Sequence, residues 1–184
     1  NICLLRHHCD MSLAEVFLRA LEPSDIDVLF EIENNSIYWN YADRTEPFSR
    51  DLLIKFIKEQ DRDIFEVKQK RFVVTNSKKT ALGFVDIFDF EPLHRRAGVG
   101  IILKEEYRGR GYGRNAIKLL EKHMKEFFNI NCLFANIAME NKQSIQAFEA
   151  CGYEKIGLKK AWNFYNNRFH DEYFYQKIFN QCTG

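Results

Sequence analysis

Residues 108–113 read Arg-Gly-Arg-Gly-Tyr-Gly and lie between the apolar run 95–103 and the most regular amphipathic segment of the chain. In that segment, Arg114–Phe128, residues Ala116, Ile117, Leu119, Leu120, Met124, Phe127 and Phe128 recur at three- and four-residue spacings. Such spacing predicts a helix with one apolar face. A strand must therefore pass to a helix through a turn in which glycine alternates with arginine or tyrosine. Glycine tolerates positive φ and adds no bulk, so this turn can aim backbone N–H groups outward. The helix N-terminus behind it adds partial positive charge. Together they form a cradle for a phosphate or pyrophosphate.

The rest of the chain reads as a sheet around that unit. Strands are predicted over Val16–Leu21, Arg71–Thr75, Ala81–Phe90, Arg95–Leu103, Cys132–Ile137, Tyr153–Lys159 and Phe169–Phe179. Glu22-Pro-Ser-Asp starts a helical pattern through Ile26, Leu29, Phe30 and Glu33. Ser49 caps a second helix to about Asp61, and Lys142–Cys151 is a further helix stopped by Gly152. The order β-α-α-β-β-β-α-β-α-β-β predicts an α/β (α+β) domain, a mixed sheet with helices on its faces.

With 184 residues the chain has the length of one domain, here 11–184. Residues 1–10 read as a tail or remnant before Met11. The net charge of +1 gives no global pull towards nucleic acid or an anionic membrane, so neither is expected as a partner. No apolar run approaches a membrane span. Cys3, Cys9, Cys132, Cys151 and Cys182 form no CxxC pair, so no metal is expected. Their odd number suits free thiols in a reducing compartment, hence a cytoplasmic location.

The glycine turn admits several readings. Residues 111–116 formally match G-x-G-x-x-A of dinucleotide-binding folds. The context fails, because about seven residues separate the strand from the glycines and no acidic residue closes the next strand. A plain connector with solvated Arg108, Arg110 and Arg114 is the bland reading. The third reading is a site for coenzyme A. Arg108-Gly-Arg-Gly-Tyr-Gly matches [RQ]-x-x-G-x-[GA], and Asn141-Lys-Gln-Ser-Ile-Gln-Ala-Phe-Glu-Ala-Cys-Gly-Tyr matches N-x-x-[SA]…(F/Y)-x-x-x-G-[FY]. In that order, one helix and one strand apart, these resemble the two signatures of the GNAT N-acetyltransferase superfamily. The resemblance spans about Leu18 to Ile178. Gly83-Phe-Val-Asp-Ile-Phe-Asp-Phe-Glu-Pro-Leu-His-Arg-Arg-Ala looks like bacterial spermidine acetyltransferases and their ribosomal-protein-acetylating cousins.

The resemblance implies a mostly antiparallel GNAT-like sheet with helices on both faces. It also implies acetyl transfer from acetyl-CoA to a primary amine, of a polyamine or a protein N-terminus, by direct attack. A CoA-binding regulatory or structural protein is the alternative. Backbone amides of Arg110, Gly111, Tyr112, Gly113 and Arg114 would take the pyrophosphate, with Arg108 and Gly109 completing the turn. The peptide-like pantetheine arm would pair with the strand edge Ile101, Ile102 and Leu103, as in β-augmentation. Asn141 would hydrogen-bond the arm, and Ser144 would lie near the thioester. Many relatives carry a Tyr acid in the second signature, where this chain has Phe148. Ser144, Tyr153 or water would then serve the leaving thiolate. Asp86 matches an acidic position of the spermidine enzymes and is the base candidate. The resemblance places the acceptor near the loop holding Glu33, Trp39 and Tyr41, where acidic and aromatic groups suit a cationic amine. Aromatic residues at 162–175 suit either an interface between copies, a homo-oligomer, or packing within the domain.

Overall fold

The computed structural model describes residues 15–36 and 46–179. In chain order its elements are β1 (Phe17–Ala20), α1 (Ile26–Glu33), α2 (Arg50–Glu59), α3 (Ile64–Val67), β2 (Lys70–Thr75), β3 (Ala81–Glu91), β4 (Arg96–Leu103), α4 (Tyr112–Phe128), β5 (Cys132–Ala138), α5 (Lys142–Glu149), β6 (Glu154–Tyr165) and β7 (Arg168–Ile178). The seven strands form one sheet in the order β1-β2-β3-β4-β5-β7-β6. Every neighbouring pair is antiparallel except β4 and β5, which are parallel. The expected mixed, mostly antiparallel sheet is therefore present.

Strand alternation sorts the core into two layers. Successive side chains point to opposite faces. On β2 and β3, Val74 and Val85 pack with Ala116, Ile117, Leu120 and Met124 of α4 and with Phe148 of α5. Their neighbours Val73 and Phe84 pack with Leu29 and Ile32 of α1 and Leu53 and Ile57 of α2. Helices thus cover both faces, as expected. Ser49 caps α2 by accepting from the Leu52 N–H at 3.2 Å, the geometry that favours Ser at this position.

Two differences from the sequence reading have local causes. α3 is a single extra turn that begins at Asp63, whose carboxylate accepts from the Phe65 N–H at 2.8 Å. β6 runs to Tyr165 rather than Lys159, with a register shift between Lys159 and Asn163. Asn166 and Asn167, at φ 51° and 57°, then close the β6–β7 hairpin. Two residues with positive φ match the right-handed twist of paired strands. Among the described residues, no helix is long and apolar enough to cross a membrane.

The parallel pairing of β4 with β5 is short. Arg96, Ala97 and Gly98 pair with Cys132, Leu133 and Phe134, and there the ladder stops. β4 continues to Leu103 and β5 to Ala138, so the strands splay apart. Gly98 closes the paired end beneath the Phe88 ring, where a Cβ would lie 2.2 Å from the ring edge. Gly98→Ala is therefore expected to destabilise the fold by about 1–3 kcal/mol through forced movement of Phe88, read as a lower midpoint in urea unfolding.

Candidate active site

The splay leaves the β4 lip from Val99 to Leu103 unpaired with β5, while its other edge stays paired with β3 through Leu103↔Gly83 to Val99↔Ile87. Buried backbone donors and acceptors need partners. A slot with one open β edge suits a ligand carrying amide groups in line, which can complete the ladder. Ile101, Ile102 and Leu103 form this lip, where the sequence placed them.

The glycine turn stands at the slot's mouth. Gly109 and Gly111 adopt φ 69° and 81°, and Gly111 is the N-cap of α4. Positive φ at both positions explains the alternation of glycine with larger residues. Arg108 donates from Nε to the Leu103 carbonyl at 2.9 Å, tying the turn back to the end of β4. A Cβ on Gly113 would sit 3.6 Å from Leu103 and 3.7 Å from Ile101, so the first turn of α4 rests on the lip itself. Arg110, Tyr112 and Arg114 complete the N-terminal turn, whose leading N–H groups have no intrahelical acceptor.

Across the slot, Asn141 is the N-cap of α5, and its side-chain oxygen accepts from the Ser144 N–H at 3.1 Å. This leaves the amide NH₂ as the group Asn141 can offer a ligand. Ser144 lies in the first turn of α5. Phe148 is buried in the core and packs edge-on against Tyr153, with centroids 4.9 Å apart. Tyr153 is no proton donor to the slot. Its hydroxyl is buried beside Glu121 of α4, and burial followed by that carboxylate pushes the phenol well above 10.

On the α1–α2 side of the sheet lies a cavity of about 500 Å³, lined by Glu33, Phe48, Leu52, Phe56, Arg71, Asp86 and Phe88 among others. Asp86 is opposite Gly100 in the β3–β4 register, one strand in from the lip. The cavity and the deep part of the slot therefore meet at Asp86 and Gly100. Asp86 is not a lone carboxylate. Arg71 donates to it from Nε at 2.6 Å and from Nη2 at 2.8 Å, and its Nη1 donates to Glu33. Burial works against the Arg71 charge, but Asp86 and Glu33 outweigh it and hold the guanidinium's pKa above its ordinary value. The rings of Phe56 and Phe84 lie 5.5 and 5.1 Å from the guanidinium carbon. Sequence reasoning found both carboxylates and missed the arginine that joins them. The one signal was a charged residue entering the apolar strand Phe-Val-Val.

An aromatic floor continues from this cavity. Phe88 meets Phe134 edge-on at 5.7 Å, and Phe134 stacks on Phe174 at 5.5 Å. Beyond it, Lys159 bonds Asn136 at 2.8 Å and Glu172 at 2.9 Å. His170 is buried with Nδ1 2.8 Å from Glu140, and Asp171 accepts from the Ala161 N–H at 2.8 Å, so the adjacent pair shares no site. Trp39 and Tyr41 lie outside the described residues. Among the described residues, no group of three or more His, Cys, Asp or Glu is placed to hold a metal ion.

Comparison with known proteins agrees with this geometry. Residues 15–154 match the family described as acetyltransferase (GNAT) domain. Spermidine N(1)-acetyltransferase of Vibrio cholerae is 27% identical over 158 residues, covering 86% of this chain and 90% of that protein. The crystal structure of the spermidine N-acetyltransferase from Vibrio cholerae in complex with CoA and spermine superimposes with a TM-score of 0.81, at 26% identity over 89% of this chain and 95% of that one. A dodecameric structure of the enzyme from the same organism, in an intermediate state, gives 0.74 at 28% identity, over 89% of this chain and 93% of that one.

The double use of Asn141 can be separated by substitution. Asn141→Asp keeps an oxygen for the Ser144 N–H and is expected to retain stability, whereas Asn141→Ala is expected to lose about 1 kcal/mol. Thermal unfolding of the two variants checks this.

Proposed function

The chain belongs to the GNAT acetyltransferase family, and from that premise we propose that it transfers the acetyl group of acetyl-CoA to a primary amine of a polyamine. One observation carries the reading. The open lip of β4 ends at an N-terminal helix turn built for phosphate, and its deep end abuts a cavity holding two carboxylates. In this reading, the pantetheine amides complete the ladder along Ile101–Leu103. The pyrophosphate lies on the amides of Arg110–Arg114, and the NH₂ of Asn141 steadies the arm.

The acceptor arrives as a cation, since an alkylamine has a pKa of about 10 by analogy with Lys. Glu33 and Asp86, already bound to Arg71, supply the negative field that draws it in. Asp86 takes the amine's proton, directly or through one water. The amine nitrogen then attacks the thioester carbonyl. A C–N bond forms, the C–S bond breaks and the thiolate leaves. Phe148 has no proton to give, so Ser144 or water protonates that thiolate. The polyamine assignment draws on the spermidine acetyltransferases of Vibrio cholerae and Escherichia coli, both 27% identical to this chain. The exposed Trp162, Phe164 and Phe169, with the unpaired edge of β6, suit burial between copies, and the dodecameric relative supports a homo-oligomer.

Thiol release from acetyl-CoA, measured against spermidine, N-terminal peptides and aminoglycosides, tests the activity. Turnover is expected with the polyamine. CoA binding without turnover of any amine would favour the regulatory alternative. Asp86→Asn is expected to lower kcat/KM for the amine by roughly 10²-fold or more with the acetyl-CoA KM unchanged. An equal fall in Glu33→Gln would instead assign both carboxylates to cation binding. Ser144→Ala is expected to lower kcat by about tenfold or more, with Phe148→Tyr added to it restoring turnover. An unchanged rate in Ser144→Ala gives the proton transfer to water.

A further inference from the structure

Away from the acceptor cavity, a half-buried ammonium pairs with a buried carboxylate between the two helices that flank the slot. Lys177 of β7 places its Nζ 2.6 Å from Oε2 of Glu121 on α4 and donates to the Cys151 carbonyl, just past α5, at 2.6 Å. The Glu121 side chain is 8% exposed and that of Lys177 23%. Nearby, the Cys151 thiol lies 3.5 Å from the Arg114 carbonyl in the first turn of α4. Oε1 of Glu121 and the hydroxyl of Tyr153 are both buried without a well-formed hydrogen bond. One ammonium thus ties the middle of α4 to the end of α5. The phosphate turn opens α4 and Asn141 caps α5, so these are the two helices whose N-termini frame the slot.

We propose that Lys177 is a positioning residue for the acetyl-CoA slot, its ammonium fixing the separation of α4 and α5 through Glu121 and the Cys151 carbonyl. The inference rests on the acetyl-CoA reading above. Apolar packing is non-directional and tolerates small slides between helices. An ammonium with two fixed acceptors specifies one separation and one rotation. From Glu121 back to Tyr112 is about 13 Å of helix at 1.5 Å per residue. A small change of tilt at Glu121 therefore moves the phosphate turn relative to Asn141.

The charge balance argues against a purely stabilising role. Burial raises the Glu121 carboxyl above its ordinary pKa even though Lys177 opposes the shift. A carboxyl whose folded pKa lies above its unfolded value costs stability once pH exceeds the unfolded value. At neutral pH, then, the ionised Glu121 costs the fold more than its pairing returns. Replacing such a buried pair by apolar groups of similar volume is often neutral or stabilising.

The test uses the full chain carrying E121L together with K177M, with CoA affinity by calorimetry, steady-state kinetics and thermal unfolding. Expected is an unfolding temperature equal to or above wild type, CoA binding weakened fivefold or more, and an amine KM within twofold. Lys177→Arg is expected to keep CoA affinity within twofold. CoA affinity within twofold of wild type in the double variant overturns the inference. Should that variant not fold, Lys177→Met alone, which removes the donor to both acceptors, decides on the same criterion. Wild-type protein that fails to bind CoA overturns the acetyl-CoA reading and this inference with it.

Discussion

The ending of the β4–β5 ladder after three residue pairs governs the arrangement of everything around it. Backbone polar groups in a sheet interior are normally consumed by neighbouring strands. Here a central strand keeps one edge open for half its length, in the middle of a seven-stranded sheet. The opening is sustained from both sides. Gly98 lets Phe88 close over the paired end. The Arg108–Leu103 hydrogen bond and the contact of Gly113 with Ile101 and Leu103 hold the start of α4 against the open end. The glycine turn, the lip and the cavity beside Asp86 are therefore one object. None would be in register with the others if the two strands paired throughout.

Charge inside this molecule is handled in two ways. Beside the cavity, Arg71 lies between the buried Glu33 and the half-buried Asp86, so two carboxylates share one cation and the group keeps a net negative charge. That excess suits a cationic substrate without leaving either carboxylate uncompensated in a low-dielectric setting. On the α4–α5 side, Glu121 and Lys177 balance each other away from the cavity. The first group presents a field to a ligand, and the second specifies a geometry.

Much of the fold was legible because it is written in local pattern. The apolar spacing of α4, the Ser49 cap and the alternating strands all depend on residues within a few positions of one another. What was not legible depends on partners far apart in the chain. Arg71 acquires its meaning from Glu33 and Asp86, thirty-eight and fifteen positions away. The splay between β4 and β5 is a failure of pairing, which no single segment encodes. Its trace in the sequence was the pair Gly98 and Gly100, since interior glycines in a strand mark close approach of another group. The full length of β6 was hidden by a register shift, and Asn166-Asn167 was the hairpin signal that would have extended it. The acetyltransferase signatures were legible for a different reason: the glycine turn and the Asn141 cap are each built from consecutive residues.

Cys151 has a consequence for chemical self-protection. A protein that handles thioesters risks losing the acyl group to its own thiols, since thiolates exchange readily with acyl sulfur compounds. Burial, and then the charge of Glu121, push the Cys151 thiol up to about 11. At pH 7 only about one molecule in 10⁴ would carry the thiolate, the reactive form. This sulfur is enclosed under the first turn of α4, 3.5 Å from the Arg114 carbonyl. Its burial makes it a spectator, and the enzyme's acyl group is kept for the amine.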